Sequence, residues 1–291
     1  MKIILVTGGA GFIGSNLIKF LNNKKKIEKI ISLDNYSTGT KFNHIESKKI
    51  KYFKGTTLKI NTNPKLKNIK FDTIFHFAEF SRIFPSFDHY NECWKNNSIG
   101  TFELIKFALK NKSKIVYSAS SSTIGKDKKN FSPYAWTKYA SCELIKNFSK
   151  WFGLKYSIVF YYNVYGPMQI TKGYMSAVIG IFEELYKSNK PLPVVKPGTQ
   201  RRDFTHVEDV VNGTYLAALK TTNSEFHLGS GKDYSIIEIA KMFNQKIKLV
   251  KERPGERFES LCNNKNARKK LGYKPVNKLP EYIKSFVDSL E

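Results

Sequence analysis

Short apolar runs alternate with amphipathic stretches over the first half of the chain. Lys2–Thr7, Ile30–Leu33, Lys51–Phe53, Thr73–Phe77, Ile115–Ser118 and Lys155–Phe160 are apolar and rich in β-branched and aromatic residues. Ser15–Leu21, Tyr90–Lys110 and Tyr134–Phe152 carry the helical period instead. Strands alternating with helices at this pitch predict a doubly wound parallel sheet, the α/β class. Beyond Phe160 the pattern loosens. It reads as a turn at Asn163–Pro167, a helix over Tyr174–Tyr186 and a proline-punctuated connection at Pro191–Gly198. A strand at Arg201–His206, a helix over Val207–Leu219 and a short strand at Phe226–Leu228 follow, then a helix from Ser235. A loop at Arg253–Glu256 precedes two closing helices. The expected division is a sheet domain over 1–162, to which elements near 200–230 return, and a smaller lobe made mainly of 163–291.

Composition narrows the class. At 291 residues and 41% hydrophobic content, the chain can bury a sizeable core. No apolar run reaches membrane-spanning length. Met1-Lys2 leads straight into a β-like run, which is not the pattern of a secretory signal. The net charge of +25 raises nucleic acid or another anionic partner. Yet the excess is lysine scattered over the whole chain, as on solvated faces, and the rarer arginines are the informative cations. Cys93, Cys142 and Cys262 are far apart and lack metal-ligand spacing, so no metal is expected. They read as reduced thiols of a cytoplasmic protein.

The chemistry begins at Gly8-Gly9-Ala10-Gly11-Phe12-Ile13-Gly14, directly after an apolar run and before a helix. Strand, glycine turn and helix in that order form a dinucleotide-binding unit. The glycines allow the tight turn, the approach of a pyrophosphate and the packing of helix on strand. The helix N-terminus offers free N–H groups to phosphate. Asp34 ends the second strand twenty residues after Gly14, where an acid meets the adenosine ribose hydroxyls and favours NAD over its 2′-phosphorylated relative. The architecture is therefore expected to be of the Rossmann type. Ala119-Ser120-Ser121-Ser122 sits at a strand end, where ligands bind in such sheets and where serines also form turns. In Ser132-Pro133-Tyr134-Ala135-Trp136-Thr137-Lys138, Ser132 reads as an N-cap and Pro133 as the first helical residue. Tyr134 and Lys138 then share one helix face, and a cation beside a phenol favours the phenolate, a general base for a sugar hydroxyl.

Taken together, these segments resemble the NAD-dependent epimerase/dehydratase family of extended short-chain dehydrogenase/reductases, the nucleotide-sugar 4-epimerases most of all. The resemblance is carried by Thr7–Gly14, Asp34-Asn35-Tyr36-Ser37-Thr38-Gly39, Ser120-Ser121-Ser122, Tyr134-x-x-x-Lys138, Asn163-Val164-Tyr165-Gly166-Pro167 and Arg202-Asp203-Phe204, in family order over essentially the whole chain. It implies that Gly8, Gly11, Phe12, Ile13 and Gly14 cradle the pyrophosphate of NAD, and that Asp34, with Asn35, Ser37, Thr38 and Gly39, takes the adenosine side. Phe77, Ala78, Asn96 and Tyr162 would line the rest of the cofactor site. It also implies Tyr134 as base, Lys138 as its tuner and a hold on the nicotinamide ribose, and Ser120 as the hydroxyl of the triad. Ser121 would take that place if the register slips. Asn163, Arg202, Arg253 and Glu256 would grip the nucleotide diphosphate and its ribose. Ser260 falls where a bulky residue shuts N-acetyl sugars out of some relatives, and being small it leaves room for them. A homodimer through the helices at Tyr90–Lys110 and Pro133–Phe152 is the expected assembly.

The departures from the family bear on the reaction. Related 4,6-dehydratases place Asp-Glu after the triad hydroxyl, and decarboxylases of nucleotide-linked uronic acids place Glu two residues after it. Ser121 and Ser122 stand there in this chain, which favours epimerisation through a 4-keto sugar over dehydration or reduction. Thr56 replaces an Asp that contacts adenine, and Phe160 replaces an Arg before the Asn163 turn. Glu79 is an unusual acid beside the expected nicotinamide path. It reads as the salt-bridge partner of Arg82, or alternatively as a helper acid or base. A different class of function, a dinucleotide-binding protein without catalysis that holds an anionic partner on its basic surface, has no use for Ser120, Tyr134 and Lys138.

Overall fold

The apolar runs of the first half become strands of a seven-stranded parallel sheet in the computed structural model, which describes residues 1–124, 132–252 and 260–290. The strands β1 (Ile3–Thr7), β2 (Lys29–Asp34), β3 (Ile50–Lys54), β4 (Thr73–His76), β5 (Lys114–Ser120) and β6 (Tyr156–Tyr161) alternate with α1 (Phe12–Asn22) and the helices between β4 and β6. These are α2 (Pro85–Asp88), α3 (Tyr90–Trp94), α4 (Gly100–Asn111) and α5 (Pro133–Phe152). The helix expected over Tyr90–Lys110 is α3 and α4 joined by a π-helical turn at Lys95–Ile99.

The chain then forms β7 (Val164–Tyr165), α6 (Val178–Lys187), β8 (Leu192–Val195), β9 (Arg201–Asp203), β10 (Thr205–His206), α7 (Val207–Lys220) and β11 (Ser224–Leu228). Next come β12 (Asp233–Ser235), α8 (Ile236–Met242), β13 (Ile247–Val250), α9 (Lys265–Leu271) and α10 (Leu279–Asp288). The sheet order is β11-β6-β5-β4-β1-β2-β3, so β11 returns from the second half to pair with β6.

The strands are apolar at nearly every position because both faces of the sheet are covered. Leu5, Ile31, Ile115, Tyr117, Ile158 and Phe160 pack towards α4 and α5, with Leu104, Ile105 and Ile145. Their neighbours Ile4, Val6, Ile30, Val116, Val159 and Tyr161 pack on the other face with Leu17, Ile18, Val210 and Val211 of α1 and α7. This two-residue alternation decides which side chains at the strand ends face the site.

The second half builds a third core from Phe182, Leu192, Val194, Phe243 and Ile283. Three expectations change here. Pro191–Gly198 is not merely a connection: it contains β8, paired in parallel with β13, a strand the sequence pattern did not reveal. Ile247–Val250 is short, and both its central residues are exposed, so it lacks the apolar run of a buried strand. The helix expected from Tyr174 begins at Val178, and Tyr174, Ser176 and Ala177 lie along a cavity wall instead. The strand expected over Arg201–His206 divides at Phe204, because β9 pairs antiparallel with β12 while β10 pairs in parallel with β7.

Candidate active site

A cavity of about 700 Å³ opens beyond the carboxyl ends of β1, β4, β5 and β6, the place where open parallel sheets bind ligands. One end is made of backbone. Gly8, Gly11, Phe12, Ile13 and Gly14 line it, with Thr38 and Phe77 beside them. Gly8 has φ +73°, and a side chain there would meet the backbone of Phe77 at 2.7 Å. At Gly14 a Cβ would stand 2.1 Å from the Gly8 carbonyl oxygen. At Gly11, by contrast, a Cβ would meet nothing nearer than that oxygen at 3.3 Å. Packing therefore explains glycine at positions 8 and 14, whereas at position 11 that oxygen is the one close neighbour and the residue borders the cavity, as a cradle for a pyrophosphate requires.

Asp34 does not line the cavity. Its carboxylate accepts from Ala10 N at 2.9 Å and Tyr36 N at 2.7 Å, fixing the glycine turn to the end of β2. The following loop is held close, since a Cβ on Gly39 would lie 2.9 Å from the backbone of Ala10. Asn35 and Ser37 are exposed there, with Ser37 N donating to Asn35 Oδ1 at 2.9 Å. Ala78 packs its backbone against Gly8.

Side chains make the other end. The Ser132 hydroxyl caps α5 by accepting from Ala135 N at 3.0 Å, with Pro133 at the helix start, so the sequence signal for this terminus is realised. Tyr134 is buried against Phe80, Cys93 and Met175, and its backbone N donates to Ser86 Oγ at 3.2 Å. One turn on, the Lys138 ammonium donates to Ser118 O at 2.5 Å and to Glu79 Oε2. Burial pulls this ammonium down, but Glu79 and Tyr134 outweigh it and leave Lys138 above the ordinary lysine value. Ser120 closes β5 and accepts from Ser122 N at 3.2 Å and Ser122 Oγ at 2.9 Å, which leaves its own O–H to donate into the cavity. Ser120, Ser121, Tyr134 and Lys138 all line the cavity, as do Asn163 and Arg202 from the second half. Asn163, at φ +30°, is anchored by its Nδ2, which donates to Asp203 O at 2.8 Å.

Several expected residues are placed otherwise. Tyr162 lies just past the end of β6 and is not among the lining residues; its hydroxyl is 2.9 Å from His227 Nδ1, and Tyr161 meets the cavity in its stead. Asn96 is not among the lining residues. Its neighbour Asn97 is the fully buried one, clasping Phe80 through N–H at 2.7 Å and carbonyl at 3.0 Å. Ser260 is buried beside Asn163, its hydroxyl accepting from Nδ2 at 3.4 Å. Arg253 and Glu256 lie outside the described residues. Glu79 does not pair with Arg82: it pairs with Lys138, and Arg82 Nη1 donates to Ser81 O at 2.9 Å. Adjacency in sequence suggested Arg82, but the turn after β4 sends Glu79 inward towards β5 and α5.

Arg82, missed as a site residue, lines the cavity too. An arginine in the segment following a strand end was the available signal. Among the described residues no cluster of side chains could hold a metal ion, and no helix is long and apolar enough to cross a membrane.

The chain is similar to known proteins over nearly its whole length. Residues 4–236 match the model of the NAD dependent epimerase/dehydratase family. A putative UDP-glucose 4-epimerase of Methanocaldococcus jannaschii is 31% identical over 98% of this chain and 97% of its own. UDP-glucuronic acid decarboxylase 3 of Arabidopsis thaliana is 28% identical over 96% of this chain and 86% of its own. The crystal structure of UDP-glucose 4-epimerase from Thermotoga maritima with UDP-glucose superposes with a TM-score of 0.88 at 28% identity, covering 99% of this chain and 100% of that one. The chain accordingly belongs to the NAD dependent epimerase/dehydratase family, enzymes with a Rossmann-type sheet whose cofactor is NAD.

Proposed function

We propose that this enzyme interconverts the C4 epimers of a UDP-hexose or UDP-N-acetylhexosamine through a 4-keto sugar. The observation that carries the reading is the meeting of Ser120, Tyr134 and Lys138 on the wall of one cavity whose far end is the glycine turn. Neither position after Ser120 holds a carboxylate, and the nearby acid, Glu79, has both oxygens engaged by other protein groups. Among the described residues, elimination and decarboxylation thus lack a free acid next to the triad hydroxyl.

Bound NAD supplies the hydride acceptor and donor, so the reaction has no net redox change. The chain's part is positional and protonic. Ser120 donates to the sugar 4-oxygen, Tyr134 takes the hydroxyl proton as the C4–H bond breaks and returns it when that bond re-forms on the opposite face, and Lys138 favours the phenolate. Asn163 and Arg202, with Arg253 and Glu256, hold the nucleotide diphosphate, leaving the sugar free to turn. Exposed Trp94, Phe102, Trp136, Trp151 and Phe152 form an apolar face on α3, α4 and α5, on which a second copy of the chain packs to give a homodimer.

Incubation of the NAD-loaded protein with UDP-glucose and UDP-N-acetylglucosamine is expected to yield the 4-epimers. Tyr134→Phe is expected to reduce turnover by about 10²–10⁴-fold with NAD binding retained. Full activity in that variant removes Tyr134 from the role of base.

A further inference from the structure

Glu79 is the point on which the buried polar network converges. Its side chain is 1% exposed. Thr101 Oγ1 donates to Oε1 at 2.9 Å, the Tyr117 hydroxyl donates to the same oxygen at 3.0 Å, and Lys138 donates to Oε2. Because the Thr101 hydrogen points at Glu79, Thr101 accepts from His76 Nε2 at 3.0 Å, and His76 Nδ1 in turn accepts from Thr7 Oγ1 at 2.7 Å. The donors run one way, from the end of β1 to this carboxylate. An anion in contact with the Lys138 ammonium turns a cation into an ion pair, whose field at a third group is far weaker than that of a lone charge.

Arg82 is the converse. It lines the same cavity as Tyr134, its Nε is buried without a hydrogen-bond partner, and among the described residues no carboxylate lies within ion-pair distance of it. Burial lowers this guanidinium, and Tyr134 is the titratable group that acts against the burial.

We infer that Glu79 and Arg82 together set the ionisation of Tyr134, Glu79 by offsetting part of the charge of Lys138 and Arg82 by supplying a cation, without a carboxylate partner among the described residues, at the cavity wall. Both are positioning residues, and the inference rests on Tyr134 being the base. The other titratable groups around the phenol are poor substitutes. Tyr117 is held well above the ordinary phenol range and the Cys93 thiol is pushed up, both by burial. Asp88 is exposed and screened by solvent, and the His89 ring is stacked on Tyr174 at 4.3 Å.

The test is a pH titration of phenolate ultraviolet absorbance in the NAD-loaded protein, with Tyr134→Phe as the blank that isolates the Tyr134 signal. Glu79→Gln, which keeps size and an acceptor oxygen, is expected to lower the Tyr134 midpoint by about one unit, and Arg82→Gln to raise it by about as much. Arg82→Lys restores the wild-type midpoint, and the acid limb of turnover moves with the absorbance. Shifts of the same sign, or midpoints unmoved while only thermal stability falls, overturn the inference. A wild-type protein in which Tyr134 does not ionise below the ordinary tyrosine range overturns the base assignment itself, a separate and recognisable result.

Discussion

The two ends of the cavity are made of different materials. The end proposed to take the dinucleotide is backbone, held by steric limits at Gly8 and Gly14 and by the Asp34 carboxylate clamped on Ala10 and Tyr36. The end proposed to take the sugar, or sugar end, is charge and hydroxyl, with Lys138, Glu79, Arg82, Tyr134 and Ser120. A backbone cradle fails when volume is added to it. A charged wall fails when a proton or a charge is misplaced. The two ends should therefore break under different substitutions.

The largest effect is expected at the cradle. Gly14→Ala forces a Cβ to within 2.1 Å of the Gly8 carbonyl oxygen, a backbone atom that cannot swing aside. A loss of about 3 kcal/mol or more is expected, read as a fall in the thermal midpoint and the disappearance of NAD binding. Gly11→Ala sharpens the contrast. That Cβ meets the Gly8 carbonyl oxygen at 3.3 Å, a tight contact but not a prohibitive one, so the stability cost is expected to be about 1 kcal/mol, that of alanine at an N-cap. NAD affinity should nevertheless fall at least about tenfold, or 1.4 kcal/mol, because the methyl group occupies ligand space. Unchanged NAD affinity in Gly11→Ala would contradict the placement of the pyrophosphate.

The same contrast explains what could be read from the sequence. The cradle is local: strand, glycine turn, helix and Asp34 lie within Ile3–Asp34, and period and spacing announce them. The cap of α5 is local too, since Ser132, Pro133 and Tyr134 are consecutive. The sugar end is legible only in part. Tyr134 and Lys138 are one helical turn apart, but the partner of Lys138 is Glu79, fifty-nine residues earlier. No periodicity distinguishes Lys138 from Arg82 as the cation that Glu79 meets. Tyr161 closes β6 and Tyr162 lies just beyond it, and a run of six buried residues conceals which of the two meets the cavity. In the second half, β8 and β13 depend on each other across fifty-five residues, and neither has the length or pattern to declare itself alone.

His76 joins the two ends, and the next effect in size is expected there. Burial pushes its imidazole down to about 4, with Glu79 acting against that shift and Lys138 adding to it. In the unfolded chain the same ring titrates near 6.5. Between these values the unfolded state binds the proton and the native state does not. The His76 contribution is thus fully present above pH 6.5 and is lost as pH falls towards 4. The loss amounts to about 3 kcal/mol across that window. Chemical denaturation at a series of pH values measures it. His76→Gln should be less stable than wild type at pH 7 and show a flatter dependence below 6.5. Parallel wild-type and variant curves would assign the acid sensitivity to other groups, such as His206 and His227, whose imidazoles burial also lowers.

The smallest effect is expected at the α5 cap, and it separates position from charge at the sugar end. Ser132→Ala removes the hydroxyl that accepts from Ala135 N while leaving every charged group of the site in place. Such a cap is worth about 1 kcal/mol, a fall of roughly 2–4 °C in thermal midpoint for a chain of this size. Tyr134 is the second residue of the helix, and its backbone remains tied to Ser86 Oγ at 3.2 Å. Turnover should therefore drop only severalfold, with the pH dependence unmoved, since the field acting on the phenol is unchanged. A displaced acid limb in Ser132→Ala would mean that the first turn of α5, rather than Lys138, Glu79 and Arg82, governs the ionisation of Tyr134. A changed rate on an unchanged limb would leave geometry to the helix and charge to the cavity wall.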